Sequence, residues 1–361
     1  MKTWLVTGGA GFIGSNFILR LASLAQNKSF EPIKIINLDK LTYAGNPENL
    51  KSLQKNSHYT FIRGDIGNTA LVTELLEKYQ PQAILNFAAE SHVDRSIEGP
   101  DAFIQTNVVG TFHLLEAAKN YWKKLSQNEQ KEFRFLHIST DEVYGSLESH
   151  ESPFTESFPY QPNSPYAASK ASSDHLVRAY YHTYGLPTLI SNCSNNYGPY
   201  QFPEKLIPLA ILNAMEGKSI PLYGDGLNIR DWLYVEDHVR ALQIILEKGE
   251  PGEKYNVGGK QEKTNLEIVK TLCHLLDELL PQSTHLPHQK LMTFVKDRPG
   301  HDRRYAINSS KIEKDLGWYP LENFETGIKK TMLWYLENTE WINSIRTNVY
   351  QDWIHKNYAQ R

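Results

Sequence analysis

Two rhythms of apolar positions alternate along the first two-thirds of the chain. Short β-rich runs occur at Thr3-Trp4-Leu5-Val6-Thr7, at Lys34 to Leu38, at Tyr59 to Ile62, at Ala83 to Phe87, at Phe133 to Ile138 and at Thr188 to Asn192. Between them lie stretches with helical periodicity, from Phe12 to about Ala25, Asn68–Tyr79, Phe103–Tyr121 and Tyr166–Tyr184. Apolar strands separated by helices predict a parallel sheet covered on both faces. The fold class is therefore α/β, a Rossmann-type doubly wound parallel sheet with a smaller C-terminal lobe. Beyond Pro199 the pattern loosens, and helices near Glu204–Met215, Glu236–Glu247 and Leu266–Leu280 alternate with short strands. The division this predicts is a sheet domain over 1–198, with later returns of the chain at about 225–250, and a second lobe over 199–340. The charged stretch Lys123 to Glu132 reads as a surface turn or helix end, and the tail 341–361 as a packed or frayed C-terminal helix.

Composition narrows the classes. The chain has 361 residues, 40% of them hydrophobic, enough for a large core. Net charge is -3 with both signs mixed, and no long basic block argues for a nucleic-acid partner. No apolar run approaches the roughly 18–20 residues of a membrane span, so no membrane association is expected. Met1 to Ser15 is glycine-punctuated and lacks a long apolar core, which fits a buried first strand better than a signal peptide. Cys193 and Cys273 match no metal-ligand spacing, so no metal site is expected. Two isolated thiols fit a reducing cytoplasm.

Gly8-Gly9-Ala10-Gly11-Phe12-Ile13-Gly14 lies between the first strand and the first helix. Glycines there allow a tight turn and close backbone approach to a pyrophosphate, which then rests on the helix N-terminus. Asp39, at the end of the second strand, suits both ribose hydroxyls of an adenosine and would repel a 2′-phosphate. NAD is thus favoured over its phosphorylated counterpart. Asp65-Ile66 and Phe87-Ala88-Ala89 follow the third and fourth strands, where the cofactor would pass.

Tyr166 and Lys170 stand four residues apart on a helix opened by Pro165, hence on one face. An ammonium near a phenol favours phenolate, so the Tyr166 pKa is expected to fall. Such a tyrosine can take a hydroxyl proton as hydride leaves carbon. The fifth strand runs into Thr140-Asp141-Glu142, at the sheet end where α/β folds bind ligands. A hydroxyl and two adjacent carboxyls there can supply both acid and base.

The chain resembles the extended short-chain dehydrogenase/reductases and, among them, the dTDP-glucose 4,6-dehydratase family. The resemblance rests on the stretches Thr7 to Asn16, Ala88 to Ile97, Ser139 to Gly145, Tyr166 to His175, Asn192 to Tyr200, Arg230 to His238 and Asp297 to Tyr305. It covers nearly everything from residue 2 to about 335. It implies NAD, a dTDP-sugar substrate, a cytoplasmic homodimer and a three-part reaction. In that reaction Tyr166 takes the C4 hydroxyl proton, Glu142 removes the C5 proton, Asp141 protonates the departing C6 hydroxyl, and Thr140 holds the C4 oxygen. Asp141 should then have a raised pKa, with Glu142 and exclusion of water as causes. The implied cofactor positions are Gly8, Gly11, Phe12, Ile13, Gly14, Asp39, Lys40, Leu41, Thr42, Asp65, Ile66, Phe87, Ala88, Ala89, Ser91, Thr106, Tyr166, Lys170 and Asn196. The implied substrate positions are Ser91, Thr140, Asn195, Lys205, Leu206, Pro221, Tyr223, Arg230, Asn265, Asp297, Arg298 and His301. Arg230 is the expected diphosphate clamp, since guanidinium binds phosphate oxygens bidentately. A 4-epimerase or a UDP-sugar dehydratase on the same scaffold stays open, as does a non-catalytic NAD-binding regulator. An epimerase has no need of the 141–142 acid pair, and a regulator no need of Tyr166, Lys170 or the acids.

Overall fold

A computed structural model describes residues 1–26 and 31–345. Its strands in chain order are β1 (Thr3–Thr7), β2 (Lys34–Asp39), β3 (Tyr59–Arg63), β4 (Ala83–Asn86), β5 (Arg134–Thr140) and β6 (Thr188–Cys193). They continue as β7 (Asn195–Tyr197), β8 (Ile220–Tyr223), β9 (Ile229–Tyr234), β10 (Lys254–Val257), β11 (Glu262–Thr264) and β12 (Met292–Val295). Among the described residues one sheet has seven strands in the order β10-β6-β5-β4-β1-β2-β3, every pair parallel. The order reverses between β1 and β4, which opens a crevice beyond their carboxyl ends.

Alternation along each strand feeds two cores. Trp4 and Val6 pack on one face with Phe17, Ile18 and Leu21 of the helix Phe12–Leu24. Leu5 points to the other, against Val72, Leu75, Leu114 and Val177. The helix Val235–Lys248 joins the first face through Val239, Leu242 and Ile245, and β10 then adds the seventh strand beside β6. The returning segment thus runs past the expected 225–250, because Lys254-Tyr255-Asn256-Val257 is too short and too polar to read as a buried strand.

Two expectations change. The helix expected over Phe103–Tyr121 is interrupted by a π-helical segment, Ile104–Gly110, before resuming at Thr111–Trp122. Asn107 in that segment turns inward, accepting from the Glu90 N–H at 2.9 Å and donating to Ser169 Oγ at 2.8 Å. Within Lys123–Glu132, Gln127–Glu132 forms a short helix, started by a reciprocal Ser126–Glu129 capping box.

The second lobe is built on β9, flanked by β7 and β11, and on the β8–β12 pair. Its core gathers Ile211, Leu222, Trp232, Ile268, Leu272, Phe324 and Ile328. The helix Thr339–Ile345 packs Trp341 into this core, and Trp341 Nε1 donates to Asn49 Oδ1 at 2.6 Å. The rest of the expected tail, 346–361, lies outside the described residues.

Candidate active site

The chain leaves β1 at Thr7 and turns at Gly8, whose φ of 69° lies in the left-handed region. A Cβ there would stand 2.5 Å from the Ala88 nitrogen. A Cβ on Gly14 would stand 2.5 Å from the Gly8 carbonyl oxygen, so glycine lets the helix begin against the turn. A Cβ on Gly11 would meet only the Gly8 oxygen at 3.3 Å and would otherwise fill the cleft that Gly8, Gly11, Phe12, Ile13 and Gly14 line. The helix has no side-chain cap at Gly11, so its first N–H groups are available to an anion.

Asp39 is buried, and its carboxylate accepts the Ala10 N–H at 2.8 Å and the Leu41 N–H at 2.8 Å. Burial lifts its pKa, and the two amides oppose that. Lys40 and Thr42 line the same cleft, whereas Leu41 contributes its amide and a φ of 57° but no wall. Lys40 pairs with Asp65 at 2.7 Å. The cleft continues past Ile66, Phe87, Ala88, Ala89 and Thr106, then reaches Ser91. Its glycine floor and oriented carboxylate fit a dinucleotide without a 2′-phosphate.

The other end of the cleft is the carboxyl end of β5. Thr140, Asp141 and Glu142 line it together with Tyr166, Lys170, Asn195, Asn196 and Lys205. Asp141 is 1% exposed, and its Oδ2 has no hydrogen-bond partner among the described residues. Burial, with the charges of Glu142 and Asp231, pushes its carboxyl well above the usual range. Glu142 is only half-buried. Burial raises its carboxyl too, although Arg298, Lys205 and Arg230 oppose the rise. Two adjacent carboxyls thus differ in their tendency to hold a proton, the condition for an acid–base pair.

Tyr166 departs from expectation. Burial foremost, then the charge of Glu142, raises its phenol well above the ordinary value instead of lowering it. Lys170 donates to the Ile138 carbonyl at 2.8 Å, and its Nζ lies 3.2 Å from His137 Nε2. Desolvation of the phenol, not the four-residue spacing to Lys170, therefore sets the direction.

The remaining positions divide. Lys205 Nζ donates to the Ser91 carbonyl at 3.0 Å and half-buries over the cleft. Asn196 Oδ1 accepts from His238 Nδ1 at 2.9 Å, and buried Asn195 Oδ1 has no partner among the described residues. Leu206, Pro221, Tyr223, Arg230, Asn265, Asp297, Arg298 and His301 belong to the second lobe and do not line the cofactor cleft. Leu206 and Asn265 open helices, and Pro221 sits in the β8–β12 ladder opposite Thr293. Arg230 donates to the carbonyls of Ile229 at 2.7 Å and Asp302 at 2.9 Å, and stacks 4.3 Å over the Tyr305 ring. Its fork is therefore largely held by main chain, although its charge reaches Asp141 and Glu142. Arg298 keeps Nε buried and unpaired among the described residues. His301 Nδ1 lies 2.6 Å from Asp297 Oδ1.

His137 lies inside a strand run with no motif to mark it. Glu90 and Glu204, which line the cleft, and Asp94 carry no expected role, although Glu90 and Asp94 fall within the Ala88–Ile97 stretch.

A family model described as GDP-mannose 4,6 dehydratase matches residues 5–331. The dTDP-glucose 4,6-dehydratase of Xanthomonas campestris pv. campestris strain B100 is 58% identical, covering 97% of this chain and 98% of its own. That of Salmonella typhimurium is 55% identical, covering 99% of each chain. The solved structure of dTDP-glucose 4,6-dehydratase DesIV from Streptomyces venezuelae, with NAD bound, superposes with a TM-score of 0.86 at 45% identity, covering 95% of this chain and 100% of its own. A glycine cradle, a tyrosine–lysine helix and an acid pair at one sheet edge, in a chain alike from end to end to these proteins, place it in the nucleotide-sugar 4,6-dehydratase family, among the dTDP-glucose 4,6-dehydratases.

Proposed function

We propose that the chain converts dTDP-glucose to dTDP-4-keto-6-deoxyglucose and water, with NAD held in the glycine cradle. The observation that carries this reading is one cleft shared by the cradle, Tyr166 and the Asp141–Glu142 pair. NAD, when bound, takes a hydride from the sugar C4 and gives it back at C6, so the net change is loss of water. Tyr166 takes the proton of the C4 hydroxyl, and Thr140 Oγ1 holds the same oxygen. Lys170, one turn on from Tyr166 and lining the same cleft, supplies positive charge that favours the phenolate. A ketone at C4 acidifies the C5 proton, which Glu142, ionised among Arg298, Lys205 and Arg230, removes. Asp141, kept protonated by burial, delivers its proton to the C6 hydroxyl as that leaves as water. Glu142 then returns its proton to C5. Elimination needs this acid and base; an epimerase does not, which favours dehydration over epimerisation.

On this reading residues 1–198 with the returning helix and β10 hold the cofactor, and 199–340 mainly hold the sugar nucleotide. Lys205, Arg298 and Arg230 supply the positive charge that a diphosphate requires. The cytoplasm is the proposed location, supported by the two free cysteines. No helix of the described residues is long and apolar enough to cross a membrane. A homodimer is supported by Ile104 and Phe112, which stay 44% and 42% exposed on one helical run, and light scattering would measure it.

The test is a panel of dTDP-, UDP- and GDP-hexoses given to the NAD-loaded protein, with products weighed by mass spectrometry. Loss of one water from dTDP-glucose is expected. An isomer of unchanged mass would identify an epimerase, and no product from any sugar would leave only nucleotide binding.

A further inference from the structure

Asp94 is 3% exposed, in the first turn of the short helix Val93–Glu98. Its carboxylate is divided between two side chains of the second lobe. Oδ1 accepts from Arg298 Nη1 at 2.8 Å, and Oδ2 accepts from the Tyr223 hydroxyl at 2.8 Å. Tyr223 ends β8, opposite Val295 of β12, and Arg298 follows three residues later, so the β8–β12 ladder delivers both donors to one place. The Arg298 guanidinium can only donate, and the Tyr223 hydroxyl here donates as well. A carboxylate accepts from both and opposes the guanidinium charge; an amide could still meet both side chains, the hydroxyl as acceptor, but would lose that charge.

Arg298 is then a guanidinium pinned at one corner. Its Nε is buried and has no partner among the described residues, and its charge reaches Glu142. A planar fork fixed at one nitrogen aims its other donors in a set direction. A buried donor without a partner among the described residues, on a fixed cation whose charge reaches Glu142, suits an anionic ligand group.

We infer that Asp94 is a positioning residue for the sugar nucleotide, holding Arg298 and Tyr223 of the second lobe in the geometry that receives the substrate diphosphate. This rests on the proposed function above. The same carboxylate ties the lobes together, since it belongs to the segment following β4 while both donors come from beyond β7.

The experiment uses the full chain loaded with NAD. Asp94→Asn should raise KM for dTDP-glucose about ten- to a hundredfold and weaken dTDP binding by calorimetry to a similar degree, the loss expected when a charge-assisted hydrogen bond fails. Its kcat should stay within about threefold, because none of the proton-transferring groups is touched. Tyr223→Phe removes one arm and leaves the buried charge pair intact, so it keeps the inference testable if Asp94→Asn does not fold. It should raise KM about three- to tenfold, and should add little on top of Asp94→Asn in the double variant. Unchanged KM and dTDP affinity in folded variants would overturn the inference, as would a fall confined to kcat or to Tm. Failure of the wild-type chain to dehydrate dTDP-glucose would instead sink the proposed function, and dTDP binding, which needs no turnover, would still read Asp94.

Discussion

The Nζ of Lys170 stands 3.2 Å from Nε2 of His137, with both side chains buried behind the carboxyl end of β5. An ammonium can only donate, so the facing nitrogen accepts and the ring is neutral. Burial, then the lysine charge, holds His137 well below the ordinary histidine range. Burial also draws Lys170 down to about 8. The Lys170 ammonium is thus held by neutral acceptors, His137 and the Ile138 carbonyl, with the Asp174 charge as its ionic support.

This sets a pH limit and a stability trade-off for Lys170. Turnover should fall as pH rises through about 8, where the ammonium loses its proton. The folded-state value lies below the ordinary 10.5, so the buried charge is a cost to folding that is fully present below about 8 and is relieved as pH rises towards 10.5. Lys170→Met should therefore lose activity yet melt no lower than wild type at neutral pH. Paired kcat–pH profiles and melting curves check both points, and a markedly lower Tm would show that the ammonium stabilises the fold.

Tyr166→Phe should reduce kcat by about 10²–10⁴-fold, the usual value of a positioned proton acceptor. NAD content after purification should be unchanged, because the glycine cradle and Asp39 are untouched. Near-wild-type turnover would remove Tyr166 from the proton-transfer role.

Glu142→Gln should stop elimination while slow oxidation at C4 continues. Reduced cofactor would then accumulate on the protein, visible by absorbance, with no water lost from the sugar. In the wild type the acid limb of kcat/KM should lie above the ordinary 4.5, because burial raises Glu142 despite three nearby cations. Water loss by the Gln variant at the wild-type rate would exclude Glu142 as the base.

Asp39→Ala should yield protein with depleted NAD. The carboxylate also accepts the Ala10 and Leu41 amides, so its loss loosens the glycine turn as well as any ribose contact. Equal cofactor occupancy in mutant and wild-type preparations would argue against both effects.

Much of the candidate site is legible in the sequence, because its motifs lie in contiguous stretches. A glycine turn, a strand-end acid and a tyrosine–lysine pair at helical spacing each need only neighbours in sequence. The polar residues behind them left no such mark. His137, Asp94 and Glu204 make their contacts across separations that only chain packing closes, and each alone reads as an ordinary polar residue. The π-helical turn at Ile104–Gly110 was invisible for a related reason, since its cause is the inward contact of Asn107 with Glu90 and Ser169.

By itself the amino-acid order determined the parallel sheet, the cradle at Gly8 to Gly14 and the acid pair after β5, because hydrophobic period and local turn chemistry act within a few residues. Only the tertiary structure decided the electrostatics. It made Tyr166 rise where spacing to Lys170 predicted a fall, because desolvation depends on everything that surrounds a group. It bound most of the Arg230 fork to main-chain carbonyls and left Arg298 Nε without a partner among the described residues, with Nη1 held by Asp94 from the other lobe. Charge, burial and hydrogen-bond capacity are sums over neighbours in space, and no window along the chain contains them.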